Sequence, residues 1–332
     1  MLRSAPLLLL CVFFAWCDRG HAFAVAPRAP HVVSNKPHLA PSASLPPQTS
    51  TALFLGPELL AVPSLSSVAL ASLIPSLLGY YKTEYGVSYA YGGAIATTAW
   101  MVLGGISANS LAGVHALALL AYGIRLNLFL LYREVNIPYF TEVRERIEEK
   151  SQKKGSRISR TPFVLGVAFL YACMSAPMFV TASSTAMAAP FFSLSGGLRM
   201  NVSRFLVGTT WMGFLLGAFG DATKTIVKSK KGAGHLVTEG VYRFFRHPNY
   251  TGEFIGWTAS ALAAVLISGV SWLSVASIVG ALGIDFVLVQ AATGLERKQR
   301  EKYGENESYQ KWIQGSWAGV TKKLLIEEEK TE

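Results

Sequence analysis

The chain has 332 residues, of which 51% are hydrophobic and only 15% are charged, with a formal net charge of +10. Soluble domains carry about 25% charged residues, so this composition excludes an ordinary soluble protein. The apolar residues occur in long blocks and the basic residues in separate segments, which indicates an integral membrane protein with membrane lipids, not nucleic acid, as its surroundings.

The first 57 residues are predicted to be a leader. Residues 1–24 have the pattern of a signal peptide, with Arg3 before a short apolar core and Ala22 and Ala24 at a cleavage-like spacing. Residues 25–57 contain no Asp or Glu and are rich in Ser, Thr, Pro and Ala, which is typical of a transit peptide or a disordered linker. We therefore expect a plastid membrane protein with a bipartite leader, and an endoplasmic reticulum membrane protein is the alternative.

Seven apolar segments of about bilayer length follow the leader. They predict an all-α, polytopic membrane bundle with helices at 58–80, 89–107, 111–132, 163–182, 203–220, 252–268 and 271–293. The first segment contains Pro63 and Pro75 and is expected to be broken or interfacial, and the last two form a hairpin near Gly269. The predicted units are N-terminal membrane helices (58–132), a basic loop (133–162), a cofactor-binding membrane domain (163–313) and a C-terminal tail (314–332).

The charge of the connecting segments supports seven spans. Residues 133–162 contain eight Lys or Arg, residues 221–251 contain six, and the chain from residue 294 onward contains eight. With seven spans, all three segments fall on one side of the membrane, as the positive-inside bias requires.

The richest chemistry lies in the turn before the sixth span. Arg243, Arg246 and His247 precede a helix start at Pro248, for which Asn249 or Thr251 is the expected N-cap. A helix amino terminus flanked by guanidinium groups attracts phosphate. The residues after Pro248 add an amide (Asn249), a phenol (Tyr250) and a carboxylate (Glu253). A basic anchor that only fixes topology is the alternative interpretation.

Two flanking segments supply further candidates. Asp221 and Lys224 end the fifth span, where their spacing fits a local ion pair or a phosphate-binding group. After the last span, Glu296 and Tyr303 lie on a segment that is predicted either to lie along the membrane surface or to close over a ligand.

Several polar residues lie within the apolar spans. Arg125 and Asp285 are costly in lipid, so each is expected to face the bundle interior and is a candidate site residue. His115 is more simply a hydrogen-bonded interior residue. No set of His, Cys and acidic residues has the spacing of metal ligands, so no metal is expected. The pairs Gly213/Gly217 and Gly252/Gly256 fit small-residue helix packing.

The stretch from Val241 to Glu253 resembles the signature of the steroid 5-alpha-reductase C-terminal domain and sterol reductase superfamily, most closely its DUF1295 branch. Three further stretches are similar in the same order: Tyr122 to Arg133, Asp221 to Lys224, and Leu295 to Tyr309. The resemblance covers roughly residues 80–313. Family members usually end with a proline-containing apolar segment, and Gly315-Ser316-Trp317-Ala318-Gly319 stands there in this chain.

The resemblance implies a membrane reductase that binds NADPH and transfers hydride to an activated C=C bond of a lipophilic, isoprenoid or sterol-like substrate. Carried over by position, the cofactor-binding residues are Lys224, Arg243, Arg246, His247, Asn249, Tyr250 and Glu296. The candidates for catalysis are Tyr250, Glu253 and Tyr303, and the sequence does not choose the proton donor among them.

Two alternatives stay open at this stage. A membrane methyltransferase of the isoprenylcysteine or phospholipid type has a similar Arg-His-Pro turn but binds S-adenosylmethionine, which carries no phosphate and needs fewer cations. A non-catalytic plastid membrane protein is the second alternative, and the altered C-terminal segment supports it.

Overall fold

The computed structural model describes residues 63–153, 155–193, 196–232 and 234–321, and over these the chain is helical apart from turns and two isolated β bridges. The predicted leader (1–57) and the end of the tail (322–332) lie outside the described residues. In chain order, the α-helices are α1 (Leu65–Ser76), α2 (Leu78–Tyr81), α3 (Thr83–Val87), α4 (Tyr89–Leu103), α5 (Leu111–Asn136), α6 (Pro138–Gln152), α7 (Thr161–Ala182), α8 (Leu198–Lys231), α9 (Pro248–Ser268), α10 (Trp272–Tyr303) and α11 (Glu307–Gly315).

Five helices are long and apolar enough to cross a membrane: α5, α7 with the turn before it, α8, α9 and α10. They correspond to the last five predicted spans, so the prediction of an all-α membrane bundle is confirmed. The first two predicted spans are shorter helices. The apolar run Leu65–Tyr81 is interrupted at Leu77, two residues after Pro75, and α4 has 15 residues.

Three long helices, α5, α8 and α10, continue past the ends of their predicted spans. The segment after residue 220, predicted to be a loop, is helical to Lys231, and Glu296 and Tyr303 both lie on α10. The predicted loop 133–162 likewise contains α6, and a separate helix, α11, follows α10. Hydropathy falls where charged residues begin, but Lys, Arg and Glu are good helix formers, so the helices extend into the charged segments.

The charged ends of the helices lie together. Tyr89 at the start of α4 bonds to Glu134 at the end of α5, and Tyr80 at the end of α2 bonds to Thr161 at the start of α7. Gly220, late in α8, lies against the first residues of α9. At the opposite end, Arg199 donates to the last carbonyl groups of α9. The helices therefore alternate in direction, as the distribution of basic residues predicts.

Glycine residues let α8 and α9 approach closely. A Cβ atom on Gly213 would lie 2.5 Å from the main-chain nitrogen of Gly256, and one on Gly252 would lie 2.4 Å from the Gly217 nitrogen. The predicted small-residue packing is confirmed. This contact holds the amino-terminal half of α9, which carries the candidates Asn249, Tyr250 and Glu253, against α8.

Candidate functional site

An ion pair joins α5 to α8 at the charged end of the bundle. Arg125 Nη1 lies 2.6 Å from Asp221 Oδ2, and the guanidinium group also stacks 5.5 Å from the ring centroid of Tyr122. Arg125 Nη2 is buried and has no hydrogen-bond partner among the described residues. The prediction of a local Asp221–Lys224 ion pair is thus corrected: Asp221 pairs with a residue 96 positions earlier, and Lys224 contributes only at longer range.

Other positive groups surround this pair. Lys224 is half-buried one turn after Asp221 and lies close enough to Asp221 and Arg133 to interact electrostatically with both. Tyr250, also half-buried, is within electrostatic reach of Arg133 and Asp221. We call Arg125, Arg133, Asp221 and Lys224 the cationic cluster, because it has three positive groups and one negative group.

The amino terminus of α9 lies beside the cationic cluster. A Cβ atom on Gly220 would be 2.8 Å from the main-chain nitrogen of Asn249, so the first turn of α9 is adjacent to Asp221. His247 is the N-cap and makes no side-chain capping bond, which corrects the prediction of Asn249 or Thr251. Pro248 occupies the first helical position, where its missing N–H removes no helical bond. The free N–H groups of this turn add partial positive charge.

A buried chain of three polar groups begins one helical turn from Arg125. The Tyr122 hydroxyl lies 2.8 Å from Glu253 Oε2 and 2.8 Å from the Tyr91 hydroxyl. Glu253 is 9% exposed and the rings of Tyr91, Tyr122 and Trp257 pack against one another. An exchangeable hydroxyl and a carboxylate therefore meet inside an aromatic wall next to a positively charged region.

A second ion cluster lies at the junction of α9 and α10. Glu296 accepts a short hydrogen bond from Arg246 Nη1, and its other oxygen lies 2.6 Å from His247 Nε2. His247 is 1% exposed, and its Nδ1 atom has no partner among the described residues. Arg246 is thus paired with a carboxylate from α10, whereas the cationic cluster contains three basic side chains and the carboxylate of Asp221.

Of the other predicted residues, Arg243 and Tyr303 belong to neither cluster, whereas Asn249 lies in the first turn of α9 beside the cationic cluster. Arg243 is exposed on the 3₁₀ turn Gly240–Arg243, and the Tyr303 hydroxyl donates 2.5 Å to the carbonyl oxygen of Gly234. The Asn249 side chain is half-buried. The cofactor-binding or catalytic roles expected for these three residues stay predictions.

The intramembrane polar residues face protein, as predicted. Asp285 Oδ2 accepts 2.8 Å from the Thr258 hydroxyl, and Arg125 pairs with Asp221. His115 lies between the hydroxyl groups of Thr181 and Ser260, at 3.1 and 2.8 Å, which confirms it as a hydrogen-bonded interior residue. In the described part of the chain, no group of three His, Cys, Asp or Glu side chains is placed to hold a metal ion.

Three tyrosines that had no role assigned from the sequence are brought to the site by the fold: Tyr91, Tyr122 and Tyr242. Tyr122 lies three residues before the candidate Arg125 on one face of α5, and this phenol beside an arginine within an apolar span was the available signal. Tyr242 is buried, and both burial and the charge of Asp221 raise the pKa of its phenol. No charged residue near Tyr91 in the sequence indicated a role for it, since an isolated tyrosine in an apolar helix is ordinary.

A cavity of about 140 Å³ lies at the opposite end of the bundle, between the loops around Ser107 and Ser184. It is lined mainly by small side chains and contains no charged residue. It is far along the helices from the cationic cluster, so it does not contribute to the site described above.

No curated protein and no solved structure matches this chain. One family model does, over residues 80–315, and it is described as a protein of unknown function (DUF1295). This match includes every residue of both ion clusters and of the Tyr91–Tyr122–Glu253 chain. Because it extends over more than two thirds of the 332 residues, the protein belongs to the DUF1295 family.

Proposed function

We propose that this integral membrane protein is an NADPH-dependent reductase that reduces an activated C=C bond of a lipophilic substrate. The observation that carries the proposal is the position of the cationic cluster, which adjoins the amino end of α9 and lies one helical turn from the Tyr122–Glu253 pair. A polyanion site is thereby next to a buried proton donor.

The charges of the cluster fit a multiply phosphorylated ligand. Arg125 and Lys224 lie near Asp221, Glu253 is a second acidic group near Arg125, and Arg125 Nη2 is buried with no hydrogen-bond partner among the described residues. A buried guanidinium donor is costly when unpaired, so an anionic ligand that accepts this hydrogen bond is stabilising. The dipole of α9 favours the same ligand charge.

The residues around Glu253 fit proton delivery. The bound nicotinamide would supply hydride to the electron-poor carbon of the double bond, and the second carbon must then receive a proton. Tyr122 is placed to donate that proton, while Tyr91 and Glu253 hold its hydroxyl and exchange protons with it. The aromatic wall formed with Trp257 excludes water from this step.

The substrate class follows from the surroundings of the site. Outward-facing residues of the long helices are large and apolar, among them Phe205, Phe219 and Phe286. A substrate that enters from the bilayer must therefore be lipid-soluble, which supports an isoprenoid or sterol-like compound.

Cofactor binding tests the proposal directly. Full-length protein in detergent is titrated with NADPH and, separately, with S-adenosylmethionine. We expect NADPH to bind, and Lys224→Ala to weaken it about tenfold through loss of one phosphate contact. Lys230→Ala, which removes an exposed lysine on the same helix, is the matched control. Binding of S-adenosylmethionine with none of NADPH would favour the methyltransferase, and binding of neither would favour a non-catalytic role.

We also propose that the protein resides in a plastid membrane, on the composition of residues 1–57. A fluorescent protein fused after residue 57 should enter plastids in an alga with secondary plastids. Retention of the fusion in the endoplasmic reticulum would support the alternative location.

A further inference from the structure

The last described residues, 316–321, cross the amino end of α9, and we call them the C-terminal strap. Trp317 N donates 2.8 Å to the carbonyl oxygen of Phe244, and Arg246 N donates 2.9 Å to the carbonyl oxygen of Trp317. These two bonds form an isolated parallel β bridge between Phe245 and Trp317, whose rings pack edge to face at 5.6 Å.

A glycine places the strap against α9. Gly319 has φ +68°, and a Cβ atom there would lie 2.2 Å from Thr251 Oγ1. A residue with a side chain would therefore meet both backbone strain and a steric clash with a fully buried threonine. The close contact between strap and helix depends on glycine at this position.

Two buried polar atoms near the strap have no hydrogen-bond partner among the described residues. His247 Nδ1 and Thr251 Oγ1 are both buried and unpartnered among the described residues, while Glu296 occupies the other ring nitrogen of His247. Buried polar atoms without a hydrogen bond favour any state in which they reach water or a ligand. The closed position therefore carries an energetic cost at Thr251, against which Gly319 packs, and at His247, which follows Arg246, the residue whose amide bonds to the strap.

The chain is held firmly before Ser316 and more loosely after it. The preceding helix α11 is firmly anchored, since Tyr309 is buried and Trp312 Nε1 donates 2.7 Å to the carbonyl oxygen of Tyr242. Ser316 is buried and bonds back to Trp312, but Trp317 is 56% exposed. The firmly held part of the chain therefore ends at Ser316, and an opening strap would turn there.

Because buried polar atoms lie unpartnered near the strap and the strap is held loosely after Ser316, we infer that it is a gate. The gate opens about Ser316 and controls access to His247 and Thr251 at the amino end of α9. The inference concerns access to this end of the helix, and it stands whether or not the protein is a reductase.

Diethylpyrocarbonate, which modifies neutral imidazole nitrogens, tests the gate in the full-length protein. The reaction at His247, whose Nδ1 atom has no hydrogen-bond partner among the described residues, is followed by peptide mass spectrometry. Gly319→Ala should prevent the strap from closing and raise the modification rate about tenfold. Gly315→Ala is the matched control, because a Cβ atom there meets nothing within 4 Å. Equal rates in the two variants would overturn the inference.

A disulfide that holds the strap in the closed position provides a second test, which does not require displacing the strap from α9. In a Phe245→Cys/Trp317→Cys variant, the two cysteines replace the residues of the β bridge. Their oxidation to a disulfide should hold the strap closed. His247 should then react about tenfold more slowly than in the reduced protein, and each single-cysteine variant should show no redox dependence. A locked protein that reacts as fast as the reduced form would mean that the strap does not gate this histidine.

Discussion

Tyr122 and Glu253, 131 residues apart in sequence, meet in the buried centre of the bundle with 2.8 Å between the phenol oxygen and Oε2. Tyr122 is on α5 and Glu253 is on α9, so the contact exists only when these two helices are correctly packed. It joins Glu253, one of three catalytic candidates from the sequence, to a phenol that had no role assigned from the sequence.

Removing the Tyr122 hydroxyl tests its proposed role as proton donor. Tyr122→Phe should lower turnover about 100-fold, because general acid catalysis is lost while the aromatic wall is kept. NADPH affinity should change little, since the cationic cluster remains intact. Tyr171→Phe is the control: Tyr171 is buried and stacks on Tyr91, but its hydroxyl bonds to the Gly86 carbonyl oxygen. Full activity in Tyr122→Phe would exclude the phenol as the donor.

Arg246 should not distinguish NADPH from NADH. Its guanidinium group is neutralised by Glu296, so it is poorly placed to bind a 2′-phosphate. Arg246→Ala should reduce the affinities for both nucleotides by the same factor and destabilise the fold by about 3 kcal/mol, since it leaves a largely buried carboxylate with one partner fewer. Titration with both nucleotides and thermal unfolding measure the two effects. A selective loss of NADPH affinity would assign the 2′-phosphate to Arg246 after all.

Helix α6 is held by an ion cluster whose strength should depend on pH. Glu148 accepts hydrogen bonds from Arg160, at 2.8 and 3.1 Å, and from the Thr83 amide at 3.2 Å. Burial alone would raise the pKa of Glu148, but the hydrogen bonds outweigh it and hold the pKa below its usual value. The stabilisation is therefore present above the unfolded-state pKa of about 4.3 and is lost as the pH falls through the lower folded-state value.

Hydrogen exchange of α6 between about pH 5 and pH 3 measures this dependence. Protection of the helix should fall with decreasing pH in the wild-type chain and should be low and nearly constant in Glu148→Gln. Glu142→Gln, which changes an exposed glutamate on the same helix, should behave like the wild type. A wild-type slope that persists in Glu148→Gln would assign the pH dependence to another group.

The close packing of α8 on α9 predicts a large difference between two glycine substitutions. Gly213→Ala should destabilise the protein by roughly 2–3 kcal/mol, because its methyl group would lie 2.5 Å from a main-chain nitrogen of α9. Gly208→Ala, on the same helix with nothing within 4 Å, should be neutral or slightly stabilising. Thermal unfolding in detergent compares the two, and similar melting temperatures would contradict the packing.

Local properties of the sequence were enough to predict much of the fold. The five long apolar helices, the hairpin at Gly269 and the common side of the basic segments follow from hydropathy, turn residues and charge. These features depend on the cost of placing polar groups in lipid, which acts on each segment separately. For that reason the predicted spans were correct where the apolar stretch is long enough to cross a membrane. The lengths of the first two predicted spans, which correspond to shorter helices, were overestimated.

Only the tertiary structure decided which polar groups are partners. Asp221 had a basic residue at helical spacing, Lys224, yet it pairs with Arg125, and Arg246 is neutralised by Glu296 from the end of α10. Local spacing permits an ion pair, but the helix packing determines which charges are desolvated together, and desolvated charges bind the nearest opposite group most strongly. The sequence by itself thus determined where the long apolar helices lie and which segments are basic, whereas the contacts between α5, α8, α9 and α10 determined which charged side chains come together.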